Sequence, residues 1–179
     1  MMRRISHVLL LLVPTMALAA CQTAHSNPQI MGGAAAIAKG LTADTIMVDK
    51  SDRVLDLYAD GKVIARYTGI RFGDDPVGHK RFQGDERTPE GRYTIDRRNP
   101  NSIAHLSLGI SYPNAADRAY AEERGQSPGG DIFIHGQMNG WEGPALPYDW
   151  TDGCIAVTNS EMDELWQLVP VGTEIIIQP

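Results

Sequence analysis

From about Asp44 onward the chain breaks into short apolar runs separated by turn signals, a pattern of strands rather than of long helices. Thr45-Ile46-Met47-Val48-Asp49 is rich in branched residues and reads as a strand. Val54 to Tyr58 and Lys62 to Tyr67 flank Asp60-Gly61, a hairpin signal, because a type I′ turn needs φ > 0 at both central positions. Gly69 to Gly91 mixes Gly, Pro and charge without any period and is expected as a loop. Further strands are predicted over Arg92 to Ile95, His105 to Ile110, Asp131 to Ile134, Cys154 to Val157 and Glu174 to Gln178. Two helices fit between them. Asn114 is placed to cap Ala115 to Arg124, with Gly125 as the stop. Thr158 and Glu161 form a T-x-x-E capping box ahead of Met162, Leu165, Trp166 and Val169, an i, i+3, i+4, i+7 face that Pro170 and Gly172 end. Seven or eight short strands with two short helices predict a mainly β, sandwich-like or barrel-like domain.

The start of the chain reads differently. Arg3 and Arg4 precede an apolar run over Val8 to Val13, too short to span a bilayer, and the stretch ends in Leu18-Ala19-Ala20-Cys21. Residues 1–20 are therefore expected to be an export signal. The cysteine resembles the lipidated first residue of bacterial lipoproteins; cleavage after Ala17-Leu18-Ala19 is the rival. Gln22 after it resembles lipoproteins sent to the outer membrane, so a lipid-anchored protein on the periplasmic side of the envelope is expected. Residues 21–42 lack a sustained period and read as a tether, which leaves residues 43–179 as one domain, expected to act as a monomer. The chain has 16 basic and 22 acidic residues, and losing Arg3 and Arg4 makes the mature protein more acidic still. That balance excludes nucleic acid as a partner, since such affinity rests on Lys and Arg neutralising phosphates.

With Cys21 assigned to the signal, Cys154 is the one cysteine of the domain, so it has no partner for a disulfide. It lies nineteen positions after His135, which ends the apolar run Ile132-Phe133-Ile134 and is followed by Gly136. A thiol becomes a nucleophile as the thiolate, and a histidine within about 3 Å, held by a third group, can make it one. Gly153 allows close backbone approach beside Cys154, and amides around it are suited to an oxyanion. Residue types alone leave a buried, inert thiol equally open. Trp141, Tyr148 and Trp150 fall between the two residues, either as core or as walls of a substrate groove. Arg71, Lys80, Arg81 and Arg87 in the long loop read mostly as a solvated charged face. His79 and His105 have no ligand at metal spacing, and no phosphate-binding glycine motif occurs, so no metal or organic cofactor is expected.

Ile134-His135-Gly136 followed by Thr151-Asp152-Gly153-Cys154-Ile155 resembles the signature of bacterial L,D-transpeptidases of the YkuD type. Pro76-Val77-Gly78-His79-Lys80, Gly84-Asp85, Arg87-Thr88-Pro89-Glu90-Gly91-Arg92-Tyr93 and Ser111-Tyr112-Pro113-Asn114 are similar to family blocks in the same order. The resemblance covers nearly everything from Asp44 to Ile177. It implies a β-sandwich-like catalytic domain with Cys154 as nucleophile and His135 as base. The Gly136 carbonyl would steady the imidazole, and the amides of Gly153 and Cys154 would face the oxyanion. It implies attack at the position-3 diamino acid of a peptidoglycan stem tetrapeptide, release of D-Ala, and transfer to an amine. Transfer to water, as in an L,D-carboxypeptidase or a hydrolase freeing wall-linked peptides or proteins, is the near alternative. An inactive peptidoglycan-binding lipoprotein is the alternative of a different class. Two positions depart from the family pattern: Asp152 stands where many relatives have histidine, and Ala156 where many have arginine. An aspartate so near the cysteine opposes thiolate formation unless it turns away or pairs with a cation.

Overall fold

The structure, a computed structural model, describes residues 30–179, so the export signal and Cys21 lie outside the described residues. The fold is mainly β. Strands β1 (Thr45–Asp49), β2 (Val54–Ala59), β3 (Lys62–Thr68), β4 (Gly91–Asn99), β5 (Ser107–Ile110), β6 (Phe133–His135), β7 (Ile155–Ala156) and β8 (Glu174–Gln178) form one sheet in the order β3-β2-β1-β8-β4-β5-β6-β7. Asp60-Gly61 makes the β2–β3 turn with φ of 51° and 71°, the left-handed pair that its sequence predicts.

Strand β4 is the corner of the molecule. Its first half, Gly91 to Thr94, pairs antiparallel with β8; a register shift between Ile95 and Arg97 then turns the second half onto β5. Bulges of this kind bend a strand and raise its twist. The sheet curls so far that its two edges meet: just after β3, Arg71 and Ala156 of β7 exchange both backbone bonds, at 2.9 and 2.8 Å. Inside the curl lie Ile46, Leu55, Leu57, Phe72, Ile95, Leu108, Ile134, Ile155, Ile175 and their neighbours, all buried.

Helix α2 (Ala115–Glu123) starts at Asn114, whose side chain accepts from the Ala116 and Asp117 amides while Asp117 returns the bond to Asn114 N–H. Helix α3 (Asn159–Leu168) starts with the Thr158–Glu161 box and turns Met162, Leu165 and Leu168 into the core. The tether reading needs correction at its end, where Gly33–Ala38 form a further short helix, α1. Ala36 is fully buried, and α1 packs on α3 and β3. Six residues, four of them alanine, are too few to show a helical period.

Candidate active site

Strands β6 and β7 are parallel neighbours, with Ile134 opposite Ile155 and His135 opposite Ala156. Ile134 and Ile155 both point into the core. Side chains alternate along a strand, so His135 and Cys154, each one position away, emerge together on the opposite face. There they line a cavity of about 1160 Å³ with Lys80, Glu86, Phe133, Trp150, Thr151 and Asp152.

The imidazole is fixed at one nitrogen. His135 Nδ1 lies 2.7 Å from the Gly136 carbonyl, which can only accept, so Nδ1 carries the proton and Nε2 is left as a base. Trp150 stands edge-on to the ring, with centroids 5.5 Å apart. Burial holds the His135 pKa below its ordinary value, against the Gly136 bond that supports the charged form. The half-buried thiol also rests in its protonated form. Burial first, then Asp152 and Asp131, push Cys154 up to about 11, against the Phe133 amide and the Lys80 ammonium. Phe133 N–H donates to the sulfur at 3.4 Å, and the S–H has a long 3.6 Å bond to the Asp131 carbonyl. The resting pair is thus a neutral thiol and a neutral imidazole. Nucleophilic attack then needs a proton transfer as the sulfur engages its electrophile.

Backbone contacts hold the cysteine loop against the long loop over residues 69–91. The Trp150 and Thr151 amides reach the Phe72 carbonyl, and Asp74 N–H returns to the Thr151 carbonyl at 3.1 Å. Asp149 receives both arms of Arg53 at 2.7 Å and the Phe72 amide at 3.0 Å. Two glycines permit this approach. A Cβ on Gly153 would sit 2.5 Å from the Arg87 carbonyl, and its φ is 126°; one on Gly73 would sit 2.0 Å from the Glu86 carbonyl. Thr151 completes the turn, its hydroxyl donating to the Cys154 carbonyl at 2.8 Å and accepting from Gly153 N–H at 3.2 Å.

That last bond corrects one expectation. The Gly153 amide is engaged inside the turn and does not face the cavity, whereas Cys154 N–H has no hydrogen-bond partner among the described residues. Trp150 lines the cavity, but Trp141 and Tyr148 do not, standing 46 % and 60 % exposed on the loop before it. Asp152 is exposed and in no ion pair among the described residues, while Ala156 is buried under the Arg71 bridge. The solvated reading of the loop cations is also corrected. Lys80 is buried against Asp85, Arg71 donates to the Leu146 carbonyl, and Arg81 lies over Tyr120. Sequence reasoning missed Arg53 and Asp149, 96 positions apart, because nothing local links them. It also missed Thr151 as the turn's hydrogen-bond hub, although a threonine two residues before a glycine is a local signal for such a turn.

The L,D-transpeptidase catalytic domain family, of the YkuD type, matches residues 43–177. The chain belongs to this family. YafK of Escherichia coli (strain K12), whose name assigns it provisionally to the L,D-transpeptidases, is 32 % identical over 145 residues, covering 75 % of this chain and 50 % of YafK. The chain thus spans about half the length of that curated relative. The helical cell shape determining protein Pgp2 of Campylobacter jejuni is similar in structure, with a TM-score of 0.61 and 28 % identity over 76 % of this chain and 47 % of Pgp2. An L,D-transpeptidase of Stackebrandtia nassauensis shares the fold at a TM-score of 0.51 and 14 % identity, over 77 % of this chain and 56 % of that one.

Proposed function

We propose that this L,D-transpeptidase-type domain is a cysteine acyltransferase acting on peptidoglycan stem peptides. The observation that carries the reading is the shared face of β6 and β7, where a thiol and an imidazole with a free Nε2 border one cavity. Cys154 Sγ attacks the carbonyl of the position-3 diamino acid as its proton passes to His135 Nε2. The S–C bond forms, and the tetrahedral oxyanion is met by the Cys154 amide. Collapse breaks the C–N bond, and His135 returns the proton to the departing amine of D-Ala. An amine of a second stem then attacks the thioester, His135 takes its proton, and the S–C bond breaks as the new amide forms, with His135 returning that proton to Sγ. Gly136 serves by keeping Nδ1 protonated. The protein works from the periplasmic side of the envelope, held by a lipid on Cys21. Support for that anchor is the export-signal pattern over residues 1–20.

The direct test supplies tetrapeptide and pentapeptide stems separately, with and without an amine acceptor, and reads products by mass. Release of D-Ala from the tetrapeptide together with a cross-linked product is the expected result. D-Ala release without cross-link gives the acyl-enzyme to water instead. Use of the pentapeptide alone, with cleavage between its two D-residues, rejects the assignment.

A further inference from the structure

Two lysines, Lys50 after β1 and Lys80 in the long loop, are buried almost alike and are used differently. Lys50, 6 % exposed, spends its ammonium on three acceptors: the Gly78 carbonyl at 2.7 Å, the Thr88 carbonyl at 3.3 Å and Glu90 Oε1 at 2.7 Å. Its three donors are filled, as a structural lysine requires. Lys80, 3 % exposed, has only two: the Phe82 carbonyl at 3.2 Å and Asp85 Oδ1 at 2.8 Å. Among the described residues its third N–H has no acceptor, and Lys80 is part of the wall of the Cys154 cavity while Lys50 is not.

The charge of Lys80 is not cancelled by its partner either. Asp85 also accepts from the amides of Arg81 at 2.6 Å, Phe82 at 3.0 Å and Arg87 at 3.2 Å. Three dipoles already share that carboxylate, so part of the ammonium field reaches the cavity. Consistent with this, Lys80 favours the charged form of both Cys154 and Glu86. The anions Asp152, Asp131 and Glu86 are more exposed and line the same cavity. A buried cation with a vacant donor beside a nucleophile is suited to an anionic group on the molecule that the nucleophile attacks.

We infer that Lys80 is a specificity-determining residue, whose ammonium takes the free C-terminal carboxylate of the peptide attacked by Cys154. The assignment of a peptide rests on the function proposed above; the anion preference of the cavity does not. On that reading the carboxylate belongs to the terminal residue that leaves, so Lys80 selects stems ending one residue after the attacked carbonyl.

Two probes of similar size separate these questions. Iodoacetate and iodoacetamide each alkylate a thiolate, forming an S–C bond and expelling iodide, but only the first carries a carboxylate. Their rate ratio at Cys154, read on the full chain by the mass of the peptide bearing it, is independent of thiol nucleophilicity. The ratio is expected to exceed that of free cysteine, to fall roughly tenfold in Lys80→Gln, and to persist in Lys80→Arg. A ratio that Lys80→Gln leaves unchanged overturns the inference. Should that variant fail to fold, a wild-type ratio at or below that of free cysteine overturns it equally. In the second arm, a tetrapeptide with a free carboxylate and its C-terminal amide are compared. Wild type is expected to show a roughly tenfold lower KM for the acid, and Lys80→Gln to lose that preference with less change in kcat. Equal KM values for the two peptides in wild type reject Lys80 as the anchor. No turnover of either peptide rejects the proposed function, while the alkylation ratio still decides the charge of the cavity.

Discussion

The two halves of the curled sheet are held by different forces. Around β1, β2, β3 and β8 the structure is mostly apolar side chains: Ile46, Val48, Leu55, Leu57, Ile64, Ile175 and Ile177 are all buried there. Around β6 and β7 the same sheet narrows to strands of three and two residues, and polar clamps are added to the buried Ile134, Ile155 and Val157. Arg53 grips Asp149 on the segment leading to Cys154, and Lys80 grips Asp85 in the cavity wall. Apolar packing is tolerant of position because it has no direction, whereas hydrogen bonds and backbone contacts fix atoms to tenths of an ångström. The first half sets whether the chain folds; the second sets where Sγ and Nε2 stand.

Substitutions can break that division, beginning with the largest effect. Cys154→Ala is expected to abolish turnover and leave the melting temperature almost unmoved, since the side chain makes only two weak hydrogen bonds. Product analysis by mass beside a thermal melt checks both. Gly153→Ala forces a Cβ against the Arg87 carbonyl at an unfavourable φ. It is expected to lower kcat/KM by about a hundredfold through misplacement of the cysteine, with a stability loss of roughly 1–3 kcal/mol. Leu57→Ala in the opposite half should invert that profile. Denaturation should show a loss of about 2–5 kcal/mol, while kcat of the folded fraction stays the same. A large kcat effect from Leu57 would dissolve the distinction between the halves.

The pH dependence sharpens it within the site. In the proposed mechanism neutral His135 is the active form, and burial lowers its pKa, so kcat/KM should rise with pH through a midpoint below the usual ~6.5 for histidine. Alkylation by iodoacetamide should instead keep rising toward the thiol's value of about 11. Coincident midpoints for the two profiles would indicate a preformed thiolate–imidazolium pair. The smallest effect is at a helix start remote from the chemistry. Asn114→Ala should cost about 1 kcal/mol in a melt, through loss of the cap, with unchanged activity.

The same division explains what was legible in the sequence. Strands β1 and β8 fall where their branched runs predict, and the Asn114 cap and the Thr158–Glu161 box start their helices. Those features are local. Strand β4 runs on to Asn99, past the expected end at Ile95, because pairing with β5 beyond the bulge overrides the polar composition of Asp96-Arg97-Arg98. In the site, His135 and Cys154 could be picked out as candidates from their glycine neighbours and from the isolation of the domain thiol. The capture of the Gly153 amide by Thr151 could not, since it depends on where one hydroxyl rotates. Nor could the burial of Lys80, whose charge reads as solvent-facing until the loop folds over it.

The meeting of Arg71 with Ala156 also limits how a peptide can be held. Many proteins that bind extended peptides add them as one more strand along an open rim. Here β7 has β6 on one side and Arg71 on the other, with both ladder bonds of Ala156 consumed. An incoming chain finds no free row of amides and carbonyls there, so the strand next to the thiol cannot serve as a template. Recognition is left to side chains and chain termini entering the cavity crosswise, which favours short, branched or end-marked molecules over long extended polypeptides.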